Sequence, residues 1–284
     1  MRVYVILILV WTFNSFGQLV PLPENIKEFK NIEFARNGDK PVLLDLYQPE
    51  SDKRLPVIIL VHGGGWANGS KDKFTPMAIS LAKEGFAVAN INYRLSGEAK
   101  FPGAVEDTKA SIRWVRANAE KYNVNPEKIF GIGGSAGGHL IAMAALTDEG
   151  KYEGKGGNNT VSSKIGPIII LGSGVDQYER VKAMPNKKIP NCEVFLGPFE
   201  GNEDLYKAAS PYYHLTEGDP AIFMLDGEKD NPGGRYPAFI KKLNELGIKN
   251  EFGVIPGAKH GAWNREPFRT PYVKAMVTFL KKFE

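Results

Sequence analysis

The sequence predicts an α/β fold, with a mostly parallel central sheet, an N-terminal antiparallel hairpin and helices on both faces. Three observations carry this. Leu55–Val61 (LPVIILV) and Ile165–Leu171 are apolar at nearly every position, the pattern of strands covered on both sides. Such runs alternate along the chain with stretches of helical spacing, which implies parallel strands joined by right-handed crossovers. Ahead of them, two strand-like segments flank Asn37-Gly38-Asp39, strong hairpin punctuation.

Taken in order, Asn31–Ala35 and Val42–Tyr47 make the hairpin, and Leu55–Val61 is the first buried strand. Phe74–Glu84 has helical spacing and stops at Gly85. Phe86–Ile91 is strand-like. Pro102–Tyr122 carries Val105, Ile112, Val115 and Ala119, with Trp114 and alanines between, as in a long helix. Lys128–Ile132 leads into a glycine-rich turn, and His139–Leu146 is an apolar helix. Ile165–Leu171, Ala221–Leu225 and Glu251–Ile255 are further strands, and Pro237–Leu246 and Pro271–Phe283 are closing helices. The alternation breaks over Gly172–Thr216, a mixed stretch holding Pro185, Pro190, Pro198 and Pro211. A structureless loop of that length is unusual, so short helices are expected there, arranged as a small lid. Residues 18–284 then form a single domain with an insertion near 172–216.

Composition narrows the function. Lys+Arg 36 against Asp+Glu 32 leaves a net charge of +4, interleaved without a basic stripe, which argues against nucleic-acid binding. Hydrophobic residues at 43% and charged residues at 24% argue against disorder. The single cysteine, Cys192, excludes an internal disulfide framework and any cysteine-built zinc or iron–sulfur site. No apolar run reaches the ~18 residues that span a bilayer. Residues 1–17 (MRVYVILILVWTFNSFG) read as a secretory signal peptide: Arg2 supplies the positive end, Val3–Phe13 is almost unbroken apolar sequence, and Ser15 and Gly17 are small residues before a cut at Gln18. A buried first strand is the alternative. The two prolines of Gln18–Asn25 favour a linker instead. The mature protein is therefore expected to be secreted or periplasmic.

The sharpest chemical signal is Gly133-Gly134-Ser135-Ala136-Gly137, a G-x-S-x-G pattern between a strand and a helix. A serine on so tight a turn exposes its hydroxyl, and the residues two before and two after must be tiny. Ser135 is the one serine of the chain with glycine at both places. A phosphate-binding glycine turn is the competing reading, but no ribose-binding acid or following lysine accompanies it. The second signal is His62-Gly63-Gly64-Gly65-Trp66, directly after a buried strand. Glycines there allow close approach to a reacting oxygen, so Gly64, Gly65 and Ala136 are the expected oxyanion donors. His62 is read as ordering this loop and His139 as packed along its helix. His260, alone among the four histidines, stands between glycines in a strand-end loop (PGAKHG), which makes it the base. Asp226 and Asp230, after the strand Ala221–Leu225, are the candidate acids.

With HGGGW, Asn92-Tyr93-Arg94-Leu95, Asp107 with Ala110 and Trp114, GGSAGGH, Ala209-Ser210-Pro211 and PGAKHG in that order, the chain resembles the α/β-hydrolase superfamily over about Asn31 to Leu280. More narrowly it resembles secreted bacterial esterases of the hormone-sensitive-lipase-like and bifunctional acetylxylan/feruloyl esterase kind. The resemblance implies Asp230 as the acid, since Asp226 falls where the family's motif HG-x-x-D-x-x-V-P has histidine. The usual V-P is replaced by Asn231-Pro232-Gly233-Gly234. It also implies acyl transfer by Ser135, His260 and Asp230 on a small ester or acylated oligosaccharide, without metal or cofactor. Trp66 is expected to line an acyl pocket, and Tyr212, Tyr213 and Trp263 its rim. A broad short-chain carboxylesterase, a secreted peptidase of the same fold and a silent binding module are the competing functions. Oligomeric state is not legible.

Overall fold

The computed structural model describes residues 21–184 and 189–284, so the expected leader at 1–17 lies outside the described residues. The strands are β1 (Ile26–Asn37), β2 (Lys40–Pro49), β3 (Leu55–Val61), β4 (Ala87–Ile91), β5 (Val124–Gly134), β6 (Ile168–Leu171), β7 (Ile222–Gly227) and β8 (Asn250–Ile255). They form one eight-stranded sheet in the order β1-β2-β4-β3-β5-β6-β7-β8. Strand β2 runs antiparallel to both its neighbours, and every other pair is parallel. The helices are α1 (Thr75–Lys83), α2 (Gly103–Ala117), α3 (Ala136–Leu146), α4 (Gln177–Lys182), α5 (Pro190–Leu196), α6 (Glu203–Ala208), α7 (Pro237–Glu245) and α8 (Arg269–Leu280).

The unbroken apolar reading of β3 has a direct cause. Val57, Ile59 and Val61 belong to the core under α2, α3 and α7, while Ile58 and Leu60 belong to the core under α1 and α8. A strand whose alternate side chains enter two dry layers keeps no polar face. The same split holds in β6, with Ile168 and Ile170 on one side and Ile169 and Leu171 on the other.

Two boundaries differ from the sequence reading. Helix α2 ends at Ala117 rather than running on to Tyr122, because the Asn118 amide donates to the Trp114 carbonyl (2.8 Å) and caps the last turn. Strand β6 starts at Ile168 rather than Ile165, after Pro167, which has no N–H for the ladder. In the expected insertion lie three short helices, α4, α5 and α6, and a turn of 3-10 helix at Pro211–His214.

A buried ion pair ties the hairpin to the loop after β3. Lys71 Nζ donates to Asp45 Oδ2 at 2.7 Å, and both side chains are almost wholly buried. The other carboxylate oxygen accepts the Asn31 N–H, and Asn92 and Asn90 hold the Lys71 backbone from β4's end. Removing one member of such a pair strands a buried charge. Lys71→Met is therefore expected to cost about 3–5 kcal/mol of stability, and Lys71→Met with Asp45→Leu to cost much less. Denaturant unfolding of the two variants checks this, and equal losses would contradict it.

Candidate active site

The parallel ladders place the strand ends side by side. Val61 pairs with Gly133, Gly134 with Leu171, Leu171 with Leu225, and Gly227 with Ile255. The loops that follow these strands leave the sheet along one edge. There, residues 125 positions apart meet: His260 Nε2 lies 3.0 Å from Ser135 Oγ. On the far side of the ring, His260 Nδ1 lies 2.8 Å from Asp230 Oδ2. Hydroxyl, imidazole and carboxylate are thus in line, with the imidazole half exposed and the carboxylate buried. Asp226, the other candidate acid, does not reach His260. It is fully buried, accepts from the Tyr236 hydroxyl (3.1 Å) and the Gly233 N–H (3.1 Å), and burial raises its pKa.

Ser135 sits where β5 passes into α3 with φ 53° and ψ −121°, a backbone conformation that costs about 1–3 kcal/mol in a residue with a side chain. The neighbours make that turn possible. A Cβ on Gly133 would overlap the Gly137 carbonyl, and one on Gly137 would overlap the carbonyl of Val61. Gly134 abuts the Trp263 ring. The Ser135 N–H donates to the Leu171 carbonyl (2.8 Å), which locks the turn to β6.

The glycine loop after β3 lies against the serine, since a Cβ on Gly63 would stand 3.1 Å from Ser135 Cβ. Gly64 takes φ 133°, and a Cβ there would overlap the Asn68 carbonyl. Among the described hydrogen bonds none engages the N–H of Gly64, Gly65 or Ala136. The loop is held from behind by two buried histidines. His62 stacks on Tyr93 (4.3 Å between centroids), and its Nδ1 lies 2.8 Å from the Gly63 carbonyl. The His139 Nδ1 accepts the Trp66 indole N–H (3.1 Å), so its Nε2–H donates to the Ala209 carbonyl (2.7 Å). That one ring joins the glycine loop, α3 and the insertion. Burial lowers both histidines to about 4, so both are neutral at ordinary pH. The structural roles read for His62 and His139 agree with these contacts.

The acid and histidine loops are stitched to each other. Glu228 N–H donates to Ile255 O (3.0 Å), Lys229 N–H to Ala258 O (2.8 Å), and Gly257 N–H to the Glu228 carboxylate (2.7 Å). Two further residues of this corner escaped the sequence reading. Gly172, with φ 55°, leaves room for the Asp230–His260 contact: a Cβ would come 2.6 Å from Asp230 Oδ2. Arg235 places Nη2 at 2.5 Å from Asp230 Oδ1 and Nη1 at 2.6 Å from the Asp230 carbonyl. The unusual Asn231–Gly234 segment was the one visible sign of Arg235.

The four aromatic residues expected at the substrate divide. Trp66 is a core residue, stacked flat on Phe195 of α5 (4.8 Å) and 4% exposed, so its ring does not open into a pocket. Trp263 is 3% exposed and lies edge-on beneath His260 (5.1 Å), a floor rather than a rim. Tyr212 and Tyr213 meet edge to face, with Lys242 over the first and Tyr178 beside the second, and none of these contacts involves Ser135, His260 or Asp230. The insertion does reach the glycine loop, through Phe195 on Trp66 and through the Asn191 amide, which covers Gly65. No group of metal-binding side chains occurs among the described residues.

Comparison with known proteins shows the family and the fold. The BD-FAE family model matches residues 44–232. Esterase LipQ of Mycobacterium tuberculosis (strain ATCC 25618 / H37Rv) is 32% identical over 78% of this chain and 55% of its own length. The chain thus spans about half of that relative. Among solved structures, a truncated carbohydrate esterase from gut microbiota has a TM-score of 0.79 at 30% identity, covering 90% of this chain and 95% of that one. A butyrate-bound esterase of the planctomycete Thermogutta terrifontis has a TM-score of 0.74 at 25% identity, over 89% and 93% of the two chains.

Two outcomes are expected. Gly172→Ala should push the Asp230 carboxylate off His260 Nδ1, and a crystal structure of the variant that keeps the 2.8 Å contact would contradict the packing. For the histidines, the folded pKa lies below the unfolded value, so the unfolded chain binds more protons between pH 6.5 and about 4. Stability should be full above this window and fall through it on acidification. Asp107 and Asp226, raised by burial, act in the opposite sense. Denaturant midpoints of wild type and His62→Gln compared across the window isolate the histidine part, and an unchanged pH dependence would contradict it.

Proposed function

This chain belongs to the BD-FAE family, within the α/β-hydrolase esterases, and from that premise we propose that it is a serine carboxylic-ester hydrolase. The observation that carries the proposal is the in-line contact of Ser135, His260 and Asp230, at 3.0 and 2.8 Å. In the proposed reaction Ser135 Oγ attacks the ester carbonyl and His260 Nε2 takes its proton. Asp230 orients the ring and stabilises its charged form. The N–H groups of Gly64, Gly65 and Ala136 receive the oxyanion, and one such donor is worth about 3–4 kcal/mol in the transition state. His260 then protonates the leaving alcohol. Water hydrolyses the acyl-enzyme by the same steps in reverse order of roles.

The proposed substrates are short acyl or hydroxycinnamoyl esters on plant polysaccharide, of the acetylxylan or feruloyl type, met outside the cytoplasm. The likeness to a gut carbohydrate esterase over 95% of that chain supports the carbohydrate part. The leader-like residues 1–17 support secretion. A broad short-chain carboxylesterase is the second reading, favoured by the likeness to an esterase whose structure holds butyrate.

Ser135→Ala is expected to abolish p-nitrophenyl acetate hydrolysis while leaving the circular-dichroism spectrum unchanged; wild-type turnover in that variant would refute the serine mechanism. Purified protein given acetylated xylan, methyl ferulate and p-nitrophenyl esters of rising chain length is expected to release acetate or ferulate from the plant esters. Activity on the synthetic esters alone would favour the broad carboxylesterase.

A further inference from the structure

The loop after Asp230 doubles back on itself. Asn231 (φ 49°) and Gly233 (φ 74°) turn the chain back, the Gly233 N–H is fastened to Asp226 Oδ2, and the Gly234 N–H to the Asn231 carbonyl (3.2 Å). A Cβ on Gly234 would meet the Asn231 amide at 2.5 Å. The effect is to bring Arg235 back onto the residue where the loop began. Its guanidinium then makes three contacts: Asp230 Oδ1 (2.5 Å), the Asp230 carbonyl (2.6 Å) and Asp226 Oδ2 (3.4 Å). Both carboxylates are buried and Arg235 is only 22% exposed, so this pairing is poorly screened by water.

We propose that Arg235 is a positioning residue for the Ser135–His260–Asp230 relay, holding Asp230 by one carboxylate oxygen and its main chain so that the other oxygen faces His260. The inference rests on the esterase reading above. A carboxylate with one partner can swing about its Cβ–Cγ bond, whereas a second, fork-shaped partner on the opposite oxygen removes that freedom. The same cation also pairs with Asp226, the carboxylate turned to Tyr236, so one guanidinium serves both acids. The titratable groups facing the Asp230–His260 pair are Asp226 from the end of β7, Arg235 and Tyr236 from the start of α7, and Tyr272 from α8. Glu228, Lys229 and Lys259 on the two loops are exposed to solvent. Without Arg235, the buried negative charge beside the ring is uncompensated, and such a charge favours a cationic neighbour over a neutral one.

The test measures kcat and KM for p-nitrophenyl acetate from about pH 5 to about pH 9, in wild type, Arg235→Gln and Arg235→Lys. Arg235→Gln is expected to lose about 10- to 100-fold in kcat with little change in KM. Its acidic limb of kcat/KM is expected to move up by about one unit. Arg235→Lys keeps the charge without the fork, so it is expected to retain the wild-type limb while losing part of kcat. A residue that served folding alone would lower the unfolding midpoint and move neither limb nor kcat of the folded fraction. An Arg235→Gln enzyme with wild-type kcat and limb overturns the proposal, as does an Arg235→Lys limb displaced as far as that of Arg235→Gln. If Arg235→Gln does not fold, Arg235→Lys decides: lowered kcat at an unmoved limb supports the proposal, and wild-type kcat overturns it. Fluorophosphonate labelling of wild type separates the two levels, because wild type that neither labels at Ser135 nor turns over ester overturns the esterase reading itself.

Discussion

The strand-to-helix turn at Ser135 is the constraint on which the rest of the site depends. Its left-handed φ aims the hydroxyl away from the sheet, at a cost of about 1–3 kcal/mol that the surroundings must offset. They do so by contact. Gly133 and Gly137 close on each other and on the end of β3, and the Ser135 N–H is fixed to β6. The turn is therefore gripped by the two strands that flank β5. That grip requires the strand ends to be in register, which the two apolar layers enforce, because a one-residue slip would turn each buried face into the wrong layer.

Around that turn the protein keeps charge and neutrality apart. His62 and His139 lie under the glycine loop as neutral rings, held so by burial, and act as hydrogen-bonding spacers. His260 is the histidine given a carboxylate partner and access to solvent. The two roles differ by environment and not by residue type, since all three are imidazoles within one edge of the sheet. Asp226 and Asp230 divide similarly. The first is turned inward to Tyr236, whose hydroxyl also accepts the Ser173 N–H after β6, while the second is turned to His260.

The insertion is part of this arrangement rather than an appendage. Phe195 stacks on Trp66, Ala209 receives the His139 N–H, and Asn191 covers Gly65. These contacts explain why Trp66, although beside the glycine loop in sequence, is a buried support; Trp263 is buried separately, against Gly134 and Tyr272. Large aromatic rings next to glycine loops fill the volume that the glycines leave empty. A sequence shows that an aromatic residue is near a motif but not whether it packs behind the motif or in front of it.

Much of the molecule was legible from local pattern. Period and apolarity identified the hairpin, the buried strands and the main helices, because burial on both faces leaves its mark residue by residue. The spacing of glycines about Ser135 identified the turn, because only one backbone geometry needs them there. His260 followed from its glycine-flanked place after a strand. The choice of Asp230 over Asp226 needed the family pattern, and what makes that choice physically is the loop Asn231–Gly234, which returns Arg235 to Asp230. Gly172, Arg235 and the inward turn of Trp66 were decided only by the tertiary structure. Each depends on which distant segments meet at the end of the sheet, and such meetings are set by strand register and helix packing, not by any short-range preference of the residues themselves.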